Sequence, residues 1–138
     1  MAWQTPKTDW VGTDSFNASD WLRIVGNIQY IANAISHTTL PTLLTDVTDG
    51  ITVLTSDNRN EVLYELNIMY FLMRASWNHG YVADRVNYGA AWNSEELNII
   101  EDMLLNMKRQ VDSEISNRAE RYAGEEIYCG DTISVGLI

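Results

Sequence analysis

The chain has 138 residues, 46% of them hydrophobic and 20% charged, the balance of one soluble globular domain large enough to bury a core. Its 9 basic and 19 acidic residues give a formal charge of -10, which opposes binding to nucleic acid phosphates and to anionic membrane surfaces. No apolar run is long enough to span a bilayer, the start MAWQTPKTDW lacks the basic-then-apolar order of a signal peptide, and the lone Cys129 fits a reducing compartment.

Residues 1–15 contain Pro6, Gly12 and several Thr and Asp without a helical period, so they read as an extended arm. The arm carries Trp3 and Trp10, which a merely solvated tail has no reason to hold. Either both fold back over the chain's own helices, or one anchors the arm in a neighbouring subunit.

A helix is expected over about 18–36. Asn17 is its cap, Asp20 its third-position carboxylate, and Phe16 and Trp21 can close as a hydrophobic staple. Ile24, Val25, Ile28, Ile31, Ala32 and Ile35 then form one apolar stripe. Gly26 inside the helix costs roughly 1 kcal/mol against Ala unless close approach offsets it. Residues 38–56 form a connection that is long for a small domain, with a turn signal at Asp49-Gly50 that allows a short hairpin.

A second helix is expected over about 57–79, apolar around most of its circumference and therefore central or covered by a partner. A loop, YVADRVNYGAAW, leads to a third helix over about 94–122. There Leu97, Ile100, Leu104, Met107, Val111, Ile115 and Tyr122 make a stripe of near-heptad spacing. The third helix is long enough for its second half to overhang a bundle and pair with something else. The tail from Gly124 alternates Ile133, Val135 and Leu137 with small or polar residues, which predicts a strand that can pair with another chain's edge.

The opening of the first helix recurs at a constant 38-residue spacing. Phe16, Asn17, Asp20 and Ile24 align with Leu54, Thr55, Asn58 and Val62, and again with Trp92, Asn93, Glu96 and Ile100. Ile28, Ile31 and Ile35 align with Leu66, Met69 and Met73, then with Leu104, Met107 and Val111. Equal spacing favours a duplicated helix-plus-loop unit, although any three capped amphipathic helices align in part.

Motifs for chemistry are sparse. His37 and His79 are the only histidines and each sits at an expected helix end, where capping of carbonyls is the ordinary role. Neither has a second histidine or a cysteine at ligand spacing, so no metal ligand, cofactor-binding or catalytic residue is assigned. Asp46, Asp49 and Gly50 lack the alternating carboxylates and closing Glu of a calcium loop. No glycine-rich phosphate loop or nucleophile elbow occurs, and Cys129 has no basic neighbour to activate it.

The segment TPKTDWVGTDSFNASDWLRIVGNIQYIA resembles a recurrent opening in uncharacterised phage and prophage proteins of Gram-positive bacteria, often encoded among tail genes. The likeness rests on Thr5 to Trp10, Phe16-Asn17, Asp20, Arg23-Ile24 and Asn27-Ile28, and more loosely on Trp92-Asn93 with Glu96 and Asn98. It departs at Trp21 and Leu22, where more polar residues are expected. The resemblance implies a virion or tail-associated structural component, assembled in the host cytoplasm, and carries over no catalytic residue.

The expected architecture is mainly α: an arm (1–15), a three-helix bundle with long connections (16–123) and a C-terminal strand (124–138). The expected function is non-enzymatic assembly within a phage particle, as a homo-oligomer in contact with other tail proteins and without cofactor, nucleic acid or membrane. Trp3, Trp10, Val111, Ile115, Tyr122, Ile133, Val135 and Leu137 are the expected contact residues. The alternative is a small-ligand or regulatory binding module whose aromatic pocket draws on Tyr70, Trp77, Tyr81, Tyr88 and Trp92.

Overall fold

The computed structural model describes residues 2–85 and 91–124, with side chains to Ile115. The chain is mainly α, with helices α1 (Ala18–Ala34), α2 (Ser56–Leu72) and α3 (Ser94–Gly124). It divides into two compact units, Met1–Lys108 and Arg109–Ile138. The first unit holds the arm, α1, α2 and the start of α3. No strand occurs among the described residues; the expected tail strand (Ile133, Val135, Leu137) lies outside them, as do the side chain of Tyr122 and Tyr88.

Each helix starts by the same local device. The third-position side chain accepts from the N–H of the cap residue: Asp20 from Asn17 at 2.8 Å, Asn58 from Thr55 at 2.9 Å, and Glu96 from Asn93 at 2.9 Å. The stops of α1 and α2 also match. His37 N–H donates to Ala32 O (2.8 Å), as Ala75 N–H does to Tyr70 O (3.1 Å), with Ser36 and Arg74 left-handed at φ 59° and 55°. These two residues are 38 positions apart.

The stops correct one expectation. α2 ends at Leu72, well short of His79, because the Arg74 turn captures the last carbonyls first. Since the residue in the left-handed position is not glycine at either stop, composition does not announce them. The Asp49-Gly50 turn does form, with Gly50 at φ 76° and Ile51 and Thr52 N–H groups on Thr48 O, but no hairpin follows it.

Burial obeys the same period. Ile24, Val62 and Ile100 are all fully enclosed, and so are Ile28, Leu66 and Leu104, then Ile31, Met69 and Met107. The register extends to Trp21, Arg59 and Leu97, to Val25, Leu63 and Glu101, and to Asn27, Glu65 and Met103, every one buried. Burying each large apolar side chain contributes about 1.5–3 kcal/mol, offset by the entropy of ordering it. Of the two expectations for α2, central or covered by a partner, the first is not met within the chain, since Tyr64 and Phe71 face outward.

The helices of the first unit start at one end. Trp21 of α1 stacks on Trp92, two residues before α3, at 5.9 Å, and the Arg59 guanidinium of α2 lies 6.0 Å from the same ring. Three parallel rods need connections that return their whole length. A 17-residue helix is about 26 Å long, a distance that roughly eight extended residues cover. The connections at 35–55 and 73–93 have 21 residues each, ample for the return and for a turn. Their length is therefore architectural.

Extended segments fill the grooves between the rods. The arm lies against α3 and α1, starting with Trp3 beside Tyr30 (5.7 Å) under the Lys108 ammonium and ending with Trp10 beside Phe16 (5.8 Å). Residues 35–55 lie against α1 and α2, and residues 73–85 against α2 and α3. Gly80 lets the segment pass close to α3, since a Cβ there would sit 2.7 Å from Ile99 Cδ1 and force that side chain to shift.

Candidate functional site

The densest polar cluster centres on Glu101, on the inner face of α3 and wholly enclosed. One carboxylate oxygen, Oε1, accepts from Arg23 Nε (2.8 Å) and the backbone N–H of Lys7 (3.0 Å). The other, Oε2, accepts from Arg23 Nη2 (2.7 Å) and Trp10 Nε1 (2.6 Å). Arg23 Nη1 also donates to Asp20 Oδ1 at 3.0 Å, which links the pair to the α1 cap. Bonding to Glu101 holds the Arg23 guanidinium even more firmly protonated than usual, and this outweighs the opposing effect of burial.

A carboxylate whose acceptor positions are all filled by one fork-shaped guanidinium, an indole and an amide is a structural anchor. It has no lone pair left facing space for proton transfer to a substrate. Sequence reading does not single out Glu101, because a carboxylate on a helix ordinarily faces solvent. The missed signal is the repeat: Val25 and Leu63 occupy the same stripe position, so Glu101 stands where a core residue belongs.

The side amides of three asparagines each bind both polar groups of one backbone residue. Asn27 does so to Gln4 (2.9 and 2.8 Å), Asn98 to Trp10 (2.7 and 3.1 Å), and Asn60 to Arg85 (2.6 and 2.9 Å). Asn60 and Asn98 are 38 residues apart. Glu65, at the repeat position of Asn27, accepts from Leu40 N–H (2.6 Å) and pairs with His37 Nε2 (2.8 Å). Extended segments without a sheet have unpaired backbone groups, and these side chains replace the missing strand.

The remaining sites give no converging chemistry. His79 Nδ1 pairs with Gly80 O and packs against Tyr70, while Tyr70 donates to Trp77 O at 2.6 Å. Tyr70 and Trp77 do meet, edge to face at 4.8 Å, but Trp92 joins Trp21 and Phe16 instead and Tyr81 is exposed, so the described members of the expected aromatic pocket do not converge on one cavity. The enclosed space beside Leu63, His79 and Ile100 is about 20 Å³, room for one water. An open cleft of about 300 Å³ beside His37 is lined by Thr, Asn and Gln with only Ala32 as an apolar wall. Among the described residues no cluster of three or more His, Cys, Asp or Glu side chains is placed to hold a metal ion.

The expected contact residues are dispersed. Trp10 is buried in the chain's own bundle and Trp3 packs on Tyr30, so the placement of both is accounted for within one chain. Val111 is buried and Ile115 is 56% exposed. Among the described residues, the large apolar groups most open to solvent are Tyr81, Ile51, Phe71 and Val53; on the helices α2 carries the largest share, with Phe71 at 75% and Tyr64 and Leu72 about half exposed, and sequence reading did not single these out as contacts. No described helix is long and apolar enough to cross a membrane. Comparison of the chain with models of known families, with curated proteins and with solved structures finds no match.

Proposed function

We propose that this chain is a non-enzymatic structural component of a phage particle, tail or baseplate associated, that works through protein–protein contacts. The observation that carries the reading is a division of labour between inside and outside. The enclosed carboxylates Glu65 and Glu101 and the buried Asn27 are committed to holding the chain's own extended segments. Large apolar side chains are meanwhile spent on outward positions of α2 and on Ile115 of α3, where they do nothing for folding. The resemblance of the TPKTDW…FNASD…RIVGNI segment to tail-region phage proteins supplies the particle.

Mass spectrometry of purified particles and of tail intermediates from an induced prophage host tests this. The chain is expected at a fixed ratio to the major tail proteins, with assembly arrested or incomplete when its gene is deleted. Absence from both fractions, with normal particles from the deletion strain, would remove the reading.

A further inference from the structure

The threefold repeat supplies an internal control for surface composition. Tyr64, at an outward position of α2, corresponds to the exposed Asp102 in α3 and to Gly26 in α1, which is buried. Phe71 corresponds to Asn33 and Arg109, and Leu72 to Ala34 and Gln110. Asn33, Ala34, Asp102 and Arg109, the exposed counterparts, are small or polar, so the fold itself does not demand large apolar groups at those places. Yet Tyr64 is 52% exposed and Phe71 75%, and they are seven residues apart on one helix face, with Ile68 between them.

We infer that the outer face of α2 is a self-complementary surface that pairs with α2 of a second copy, antiparallel about a twofold axis. The charges at its ends name the partner. The face begins with Asp57 and Glu61 and ends beyond Phe71 with the exposed Arg74. A twofold axis near Asn67 and Ile68 sets Tyr64 of one copy against Phe71 of the other. The same operation sets Glu61 against Arg74, twice per dimer. A parallel pairing would instead oppose like charges. The formal charge of -10 opposes association at long range, but salt screens that repulsion and leaves the contact charges and the apolar stripe to decide.

This deepens the contact reading above by naming the face and the partner, and it stands or falls separately from the phage particle. Light scattering on the full-length protein is expected to give twice the 15.7 kDa chain mass. Phe71→Glu and, independently, Tyr64→Lys are expected to give the single-chain mass with unchanged circular dichroism, since both side chains are largely outside the core. Asn33→Glu, at the repeat position of Phe71 in α1, is expected to leave the dimer intact. Arg74→Glu should weaken association about tenfold. In a Cys129→Ser background, Ile68→Cys is expected to cross-link copy to copy, while a cysteine at position 57 is not.

A dimer indifferent to Phe71→Glu and Tyr64→Lys overturns the inference. A strict monomer whose Phe71→Cys thiol resists alkylation would give the face to the chain's own residues 125–138. A strict monomer with an open thiol would give it to a different protein. Either monomer overturns it too, without touching the test on purified particles.

Discussion

Two extended segments occupy matching places in the repeat and are held very differently. The arm before α1 is fastened along its length: Asn27 holds Gln4, Glu101 holds Lys7 and the Trp10 indole, and Asn98 holds the Trp10 backbone. The connection before α2 is fastened mainly in its first half, by Glu65 on Leu40, by Glu61 accepting from Thr42, and by Trp21 donating to Leu44 O at 2.8 Å. Further on, Asp49 caps the start of α1 at Ala18 N–H (2.7 Å), and Ile51 and Val53 stand exposed. Backbone geometry permits both grooves to be filled. What differs is whether the helix beneath offers an amide or a carboxylate where the segment passes.

Glu101→Ala should break this contrast most severely. It leaves the Arg23 guanidinium, the Trp10 indole and the Lys7 amide without their common acceptor inside the bundle. Removing one partner of a buried ion pair costs about 3–5 kcal/mol. Urea unfolding should show that loss as a lower midpoint. Glu61→Ala, at the more exposed anchor of the other segment, should cost far less. Equal losses at the two sites would mean that burial of the anchor does not set its worth.

Asn98→Ala comes next. It strips both backbone partners from Trp10, an unpaired pair of groups worth about 1–3 kcal/mol. Hydrogen exchange should speed at the Trp10 amide ahead of the α1 core. Asn60→Ala should do the same at Arg85, with a smaller loss because the Arg85 side chain stays fastened to Glu96 (2.7 and 3.1 Å). An Asn98→Ala chain whose Trp10 amide exchanges no faster would show that the indole–Glu101 bond alone holds the arm.

These anchors mark where sequence was informative. Caps, stripes and the 38-residue period were legible because each rests on local chemistry: a short polar cap, an acidic or amide group three residues on, apolar residues every three or four. The long connections were visible but their cause was not, since parallel rods and antiparallel rods give the same stripes. Glu101 and Glu65 went unassigned for a related reason. A carboxylate on a helix looks solvated until the partner segment that desolvates it is in place. Outward Phe71 was absorbed into an over-wide apolar face and Tyr64 was passed over, because their exposure depends on which side of α2 the core takes.

A smaller change tests the helix stops. Ser36 holds a left-handed conformation that a side chain disfavours, so Ser36→Gly should raise stability by about 0.5–1 kcal/mol. At Asp112, the third-copy position, α3 continues to Gly124 and the same substitution should instead cost about 1 kcal/mol of helix stability. Thermal midpoints moving in opposite directions would show that two copies end where the third runs on.

The smallest expected effect sharpens the opening contrast directly. At the repeat position of Asn60 and Asn98, α1 carries Leu22, partly exposed and without an amide to offer. The segment passing it should present Val47, which stands where Arg85 stands in its groove, since both backbone groups of the neighbouring Thr48 are already bonded within the Asp49-Gly50 turn. Leu22→Asn should therefore create the missing two-bond contact. Each new bond contributes about 1 kcal/mol net, while the lost apolar contact and the poorer helix propensity of Asn take back a similar amount. Total stability should change by less than about 1 kcal/mol, so the informative readout is local. Amide exchange at Val47 should slow while exchange at Leu40, already held by Glu65, and at Thr48, already held by Thr52, stays unchanged. If the Val47 amide exchanges as before, the second groove does not guide its segment along the path of the other two, and the threefold likeness stops at the helices.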